Sequence, residues 1–249
     1  MIKRIKKLFY RGFKRDRFRV VHRQDGAFLV NYVNHIDRKI IIDGSYEREQ
    51  LDRFSSLAEA FGAEQFFDIG ANIGLYTIKM AKLQAIKQVH AFEPMLANKN
   101  QLHANVLLNQ LNGKVDVHGY ALSNENGTTA FLQNVGNSTG RSRIKATNAN
   151  RLDDQKFIEV KVETRQLDAL FPLSDKKLAI KIDVEGHEMM VLQGMTQLLA
   201  NNKCLIQIES YPQTTENMDA LFRNCGYTAI SNIGNDYYYA NINIDTASS

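Results

Sequence analysis

Residues 66–78 read FFDIGANIGLYTI. An aromatic pair leads into Asp68 and Ile69, then Gly70, Asn72 and Gly74 follow at every second position, and a new apolar run begins at Leu75. The text predicts a buried strand that turns sharply into a helix starting near Gly74. Glycine at position 70 permits backbone angles closed to other residues and lets a ligand approach the chain. Gly74 lets the start of the helix pack near the strand. The unpaired amides of a helix start are then expected to form a polar cup. That cup would lie at the carboxyl edge of a sheet, where open α/β folds bind ligands.

The pattern continues outward from this stretch. QVHAFEP reads as a strand, ANKNQLHANVLLNQL as a helix, and KVDVHGYAL and LAIKIDVEG as strands. HEMMVLQGMTQLLAN reads as one helix, CLIQIES as a strand, and NMDALFRNCG as a helix ending at Gly226. YTAISNI and DYYYANI close the chain as a hairpin. Strands alternating with helices predict a mostly parallel sheet covered on both faces, and the closing hairpin would add an antiparallel edge. Tyr237, Tyr238 and Tyr239 lie on that expected edge strand, where alternation buries Tyr238 opposite its neighbours. Upstream, FRVVHRQDGAFLVNYV predicts a hairpin around Asp25-Gly26. RKIIID (38–43) reads as a short strand, and YEREQLDRFSSLAEAF (46–61) as a helix closed by Gly62. Residues 125–166 break the rhythm with polar, glycine-rich text before the alternating run FIEVKVET. They are read as an excursion of one or two strands near the site, replacing a crossover helix.

The 249 residues are 44% hydrophobic with three prolines, which excludes disorder. No apolar run is long enough to cross a bilayer. Cys204 and Cys225 make neither a disulfide framework nor a zinc site, and two reduced thiols fit a cytoplasmic protein. The net charge of +4 is unevenly spread. MIKRIKKLFYRGFKRDRFR holds nine basic residues and one acid, and the rest of the chain is net acidic. Ile2, Ile5, Leu8, Phe9 and Phe13 recur at helical spacing. Two readings stay open: residues 1–19 as a foot on an anionic membrane, at its inner face, or a terminal helix packed on the body of the protein. No apolar core of a signal peptide follows the charges, and the basic stretch is too short a signal for nucleic acid.

Glu93 ends the strand that follows the glycine loop. A carboxylate there can accept hydrogen bonds from two ribose hydroxyls. A dinucleotide fingerprint would need G-x-G-x-x-G, whereas this loop is G-A-N-I-G and is preceded by Asp68, an awkward neighbour for a pyrophosphate. S-adenosylmethionine, with a sulfonium, an amino acid end and a ribose, fits an acid–glycine–glycine–acid arrangement better. Further along, IKIDVEGHE puts Asp183, Glu185, His187 and Glu188 just after the fourth strand, at the same edge. Asp183 is the strand-end residue nearest the expected reaction centre. His187 titrates near neutral pH and is a candidate base, with Glu185 the other. Glu188 fits the first turn of a helix, where an acid complements the dipole. Asp183, Glu185 and His187 with Glu209 have the chemistry of divalent-ion ligands, but their spacing matches no metal signature and no metal is expected. Asp168 in TRQLDAL is read as capping or orienting a short helix.

In this order FDIGANIGLYT, AFEP, ALSNENGTTAF, VETRQLDAL, IKIDVEGHEMMVLQG and IQIES resemble the FkbM family of methyltransferases, over about residues 40 to 240. The resemblance implies a class I, Rossmann-like fold with a seven-stranded sheet, and methyl transfer from S-adenosylmethionine to a hydroxyl of a sugar, glycan or secondary metabolite. By position it implies that Asp68, Gly70, Asn72 and Gly74 line the methionine part of the cofactor and that Glu93 holds the ribose. Ala121, Leu122 and Ser123 would flank the adenine, with Ser123 or a backbone group replacing the acid that many such enzymes place there. Residues 1–50 are divided off as a basic segment plus hairpin extension, and 51–249 as the S-adenosylmethionine-binding methyltransferase domain. Two other readings compete: an oxidoreductase using a nucleotide cofactor, and an inactive cofactor-binding protein acting as a membrane-associated partner.

Overall fold

A computed structural model describes residues 18–134, 140, 142–145 and 157–244. Most of the basic segment 1–19 lies outside these residues. The chain opens with the hairpin β1 (Phe18–Arg23) and β2 (Gly26–Asn31), then α1 (His35–Asp43) and α2 (Arg48–Phe61). The alternating part follows as β3 (Gln65–Ile69), α3 (Leu75–Ala81), β4 (Gln88–Phe92), α4 (Leu96–Leu108) and β5 (Val115–His118). An excursion contains β6 (Ala121–Leu122), β7 (Gly127–Asn134), β8 (Arg143–Ile144) and β9 (Phe157–Arg165), and leads to α5 (Leu167–Leu170). The last part is β10 (Lys177–Ile182), α6 (Glu188–Gln193), α7 (Thr196–Asn201), β11 (Lys203–Glu209), α8 (Pro212–Asn224), β12 (Thr228–Ile233) and β13 (Asp236–Ala240).

Seven strands form the central sheet in the order β12-β13-β11-β10-β3-β4-β5. Only β13 runs against the rest, pairing antiparallel with both β11 and β12. The strand order reverses direction between β3 and β10, which opens a crevice at their carboxyl ends. This is the class I methyltransferase arrangement. Successive residues on each strand enter different hydrophobic clusters. Phe66, Ala179, Leu205 and Tyr238 face one side with α2, α3 and α4, while Phe67, Ile180, Ile206 and Tyr239 face the other with α6, α7 and α8. Two covered faces explain why these strands read as continuous apolar runs.

The structure corrects four local expectations. RKIIID is not a strand but the body of α1, ended by Gly44 in left-handed backbone (φ +91°). Its start is fixed by Asp37, which is fully buried and accepts bonds from Asn31 N (2.5 Å) and Gln101 Nε2 (2.7 Å). Tertiary anchoring overrides the strand preference of its isoleucines. HEMMVLQGMTQLLAN breaks into α6 and α7 at Gly194, where a Cβ would lie 2.0 Å from the Ser123 carbonyl oxygen. Asp168 does cap a short helix, and it is α7, through bonds from Gln197 N (2.9 Å) and Leu198 N (2.8 Å). β13 is interior rather than an edge, so Tyr238 and Tyr239 are both buried, one on each face. The excursion carries three strands after β6, not one or two, in a separate four-stranded sheet.

The hairpin is strapped onto α4. Asn105 Oδ1 accepts from Leu29 N at 2.6 Å and Asn109 Oδ1 from Ala27 N at 3.0 Å. Asn105 Nδ2 also donates to Ile73 O at 2.7 Å, which ties hairpin, helix and glycine loop together.

Candidate active site

The crevice at the sheet's carboxyl edge holds a cavity of about 400 Å³, within the usual range for a small-molecule site. Asp68, Gly70, Asn72, Glu93, Ala121, Leu122, Asp183, Glu185 and His187 all line it. Gly74 and Ser123 stand just behind the lining, Gly74 as the residue before α3 and Ser123 against His187.

The alternate spacing of Gly70, Asn72 and Gly74 has a backbone cause. All three adopt left-handed angles, with φ of +85°, +52° and +88°, and asparagine is among the few non-glycine residues that tolerate them. At Gly70 a side chain is excluded outright, because a Cβ would lie 1.8 Å from the Asp183 carbonyl oxygen. The expected polar cup of free amides is not formed by the loop. Gly70 N and Ala71 N both donate to Phe92 O at 3.0 Å, Gly74 N to Ala71 O at 2.8 Å, and Asn72 N to Glu93 Oε2 at 2.9 Å. Their hydrogens are used inside the protein, so the loop offers little to a pyrophosphate.

Glu93 is buried and bonded at both oxygens, since Oε1 accepts from Met95 N at 2.9 Å. The Asn98 side chain bonds to it as well, and of the about four lone-pair sites of a carboxylate one remains for a ribose hydroxyl. Burial pushes its pKa up to about 7, against the lowering effect of these amides.

Beneath the loop runs a polar row on one face of the sheet. Register places Asp68 beside Lys181, and Lys181 beside Gln207. Asp68 Oδ2 accepts from Thr77 Oγ1 at 2.5 Å, while its buried Oδ1 has no partner. Burial raises the Asp68 pKa. Lys181 is 4% exposed, lies 4.7 Å from the Tyr76 ring centroid, and donates to Asp183 Oδ2 at 2.9 Å. Burial works against its charge, but Asp183, Asp68 and Glu47 outweigh burial and hold its pKa above the ordinary lysine range. Sequence reading passed over Lys181. The missed signal is a lysine inside LAIKI, a strand with no solvent-facing side, where a charge has to be paired.

The DVEGHE segment divides its work. Glu188 Oε1 accepts from Val184 N (3.2 Å) and Gly186 N (3.0 Å), so it holds the loop's shape. His187 Nε2 lies 2.9 Å from Ser123 Oγ, on the β6 side of the cavity, and burial lowers its pKa. Asp183 and Glu185 face the β10–β11 side with Glu209. Burial, then the charge of Asp183, pushes Glu209 up to about 8. Tyr46 and Glu47, which belong to no motif, complete this wall. Among the described residues no group of three or more His, Cys, Asp and Glu side chains is placed to hold a metal.

The donor set fits S-adenosylmethionine on observations of this fold: the side-chain-free approach at Gly70, the spare acceptor capacity of Glu93, and the unpartnered Asp68 and Asn72 oxygens. Gly70 and Asp68 would hold the methionine part, Glu93 the ribose, and the β6 segment the adenine side.

Comparison with known proteins gives the same reading. "Methyltransferase 1" of Beauveria bassiana is 30% identical over 178 residues, covering 66% of this chain and 67% of that protein. "Hexuronic acid methyltransferase AglP" of Haloferax volcanii is 29% identical over 157 residues, covering 62% and 59%. Among solved structures, a methyltransferase FkbM from Methylobacillus flagellatus aligns with a TM-score of 0.48 at 18% identity, over 82% of this chain and 52% of that one. Residues 68–229, more than half of the chain, match the methyltransferase FkbM domain. The chain belongs to the FkbM family of methyltransferases, and its cofactor is S-adenosylmethionine.

Proposed function

We propose that the protein is an O-methyltransferase acting on a hydroxyl of a sugar, glycan or secondary metabolite. The observation that carries this reading is the placement of Asp183. It directly follows β10 beside the Gly70 backbone, on the side of the cavity away from Glu93. Adjacent strands are about 4.8 Å apart. Glu93, Gly70, Asp183 and Glu209 therefore mark a line along the sheet edge, with cofactor groups at one end and the acids Asp183 and Glu209 at the other. The bound cofactor supplies an activated methyl group on a sulfonium. The protein has to align the acceptor oxygen and accept its proton. In this reading Asp183, which Lys181 fixes, takes the proton. His187 bonds to Ser123 on the adenine side, and in this reading it positions groups there rather than taking the proton. The hexuronic acid acceptor named for the Haloferax relative favours a sugar as the substrate class.

The test is methyl-labelled S-adenosylmethionine with a panel of hydroxyl-bearing sugars, the product read by mass and NMR. A label on oxygen is expected. Asp183→Asn should lower turnover by about 100- to 10,000-fold, the usual worth of a general base, with cofactor affinity little changed. Methyl transfer to nitrogen or carbon only, or normal turnover in Asp183→Asn, would sink the reading.

A further inference from the structure

The cavity reaches beyond the part of the chain that matches the family. His35, Ile36, Tyr46 and Glu47 line it, and all precede residue 68. They come from the start of α1 and from the short corner between α1 and α2. Glu47 is in left-handed backbone, φ +50°, a conformation that a glutamate adopts only when its surroundings impose it. The corner is pinned on both sides. Arg48 Nη2 meets Asp25 Oδ2 at 2.7 Å. Arg23 donates to Ile40 O (2.8 Å) and Ile41 O (2.9 Å), which fixes the end of α1. Backbone strain held at a cavity wall, on a residue with an ionisable side chain, points to use rather than accident.

The surroundings of Glu47 define what that use is. Its carboxylate accepts from Tyr46 and feels Lys181, Asp183 and Asp236. Tyr46 in turn feels Asp183 and Glu209. So Glu47, Asp183, Glu185 and Glu209 share one end of the cavity, and the ammonium facing them, Lys181, is already bonded to Asp183. At the floor, the buried Asp68 leaves Oδ1 without a partner. Burial pushes Glu47 up to about 7 and Glu209 up to about 8. Acceptor-rich carboxyl groups suit hydroxyl and ammonium donors, and above about pH 8, where Glu47 and Glu209 carry their charges, another carboxylate would meet like charge, with Lys181, the ammonium described at this end, already taken up by Asp183.

We propose that Glu47, supplied from outside the family domain, is a specificity-determining residue of the acceptor site. With Glu209 it selects polyhydroxyl acceptors that are neutral or carry an ammonium group, and turns away those that carry a carboxylate. The inference rests on the reading of this end of the cavity as the acceptor site. It also means that the hexuronic acid of the Haloferax relative does not carry over to this chain.

The experiment is ligand-observed NMR on the protein loaded with S-adenosylhomocysteine, on the alkaline side of about pH 8, where both carboxyl groups are ionised. The probes are methyl glucoside, glucosamine and glucuronate. Wild type should bind the first two at least about tenfold more tightly than glucuronate, the scale of one like-charge contact. Glu47→Gln keeps the shape and removes the charge, and should narrow that gap severalfold. Glu47→Gly removes the side chain and relieves the backbone. It should narrow the gap as well, with a melting temperature no lower than wild type, which a merely structural role of Glu47 would not give. Glucuronate binding wild type as well as the neutral probe, a gap unchanged in both variants, or no binding of any probe overturns the inference. Replacing S-adenosylhomocysteine by S-adenosylmethionine separates the two readings. Selective, Glu47-dependent binding without an O-methyl product sinks the proposed function alone, and an O-methyl product made without dependence on Glu47 sinks this inference alone.

Discussion

Gly70→Ala is the substitution on which the structural account of the site is most exposed. A Cβ at this position would lie 1.8 Å from the Asp183 carbonyl oxygen. That oxygen cannot swing aside freely, because Asp183 N donates to Ile69 O at 3.0 Å across the same junction. The φ of +85° adds a second cost. Left-handed backbone costs an L-residue about 1–2 kcal/mol, and overpacking against a fixed neighbour about 1–3 kcal/mol. The sum is about 2–5 kcal/mol, or roughly 4–20 °C in melting temperature for a chain of this size. Two other glycines separate the contributions. Gly186 has φ +100° with nothing within 4 Å of a Cβ, so Gly186→Ala should show the backbone cost alone. Gly194 has φ −84° but would clash with Ser123 O at 2.0 Å, so Gly194→Ala should show the packing cost alone. Thermal and urea unfolding of the three variants give the comparison. Because the clash displaces Asp183, calorimetric titration of Gly70→Ala with S-adenosylmethionine should also show weakened binding. If Gly70→Ala costs no more than Gly186→Ala, the close approach of the β3 and β10 loops is not what the structure says it is.

Glu93→Gln should weaken S-adenosylmethionine binding by about 1.5–3 kcal/mol, the scale for hydrogen bonds to a charged group. In wild type the affinity should fall as pH drops below about 7, where the carboxylate takes up a proton; a flat calorimetric profile from pH 8 to 5.5 would remove Glu93 from the ribose. His90 is buried among Phe67, Phe171 and His118, and burial, then the charge of His118, lowers its pKa to about 4. The unfolded chain takes up that proton near pH 6.5 and the folded one only near 4, so stability is lost as pH falls through this window and nothing is lost above it. The His90→Phe variant should therefore resist acid better than wild type, by on the order of 2–3 kcal/mol at pH 4, and parallel melting curves between pH 7 and 4 would count against it. Deletion of residues 2–17 should abolish salt-sensitive sedimentation with anionic vesicles and leave cofactor affinity intact; binding that survives deletion places the membrane contact elsewhere.

The parts of the fold legible from sequence are those whose signal is local. The turn from β3 into α3, the strand-end acids Glu93 and Asp183, and the closing hairpin all follow from short runs with one period and one break. The parts that were not legible are set by residues distant in sequence. α1 is a helix because Asp37 is held by Asn31 and Gln101, and nothing in RKIIID itself announces Gln101. Glu47 reads as an ordinary charge in the first turn of a helix until the fold sets it against Lys181. Lys181 was in reach of sequence reasoning, since a lysine within a doubly buried strand demands a partner. Asp68, one strand over and in register, is one of the groups that answers it.

The loop's hydrogen bonding bears on the choice of cofactor independently of any resemblance. A pyrophosphate needs amide hydrogens turned outward, and fingerprint loops supply them at a helix start. Here the amides of Gly70, Ala71, Asn72 and Gly74 are turned inward to Phe92, Ala71 and Glu93. Beneath the loop the cavity floor holds the carboxylate of Asp68, with Oδ1 unpartnered. Such a surface repels a phosphate and suits a ligand whose ends are an ammonium, a sulfonium and a diol. The same carboxylate that would receive the ribose hydroxyl, Glu93, also fixes the amide of Asn72, so losing it would loosen the loop as well as the ligand. The stability of Glu93→Gln without cofactor therefore has to be measured beside its affinity: a loss confined to affinity assigns the residue to the ribose, and an equal loss in the unliganded protein assigns it first to the loop.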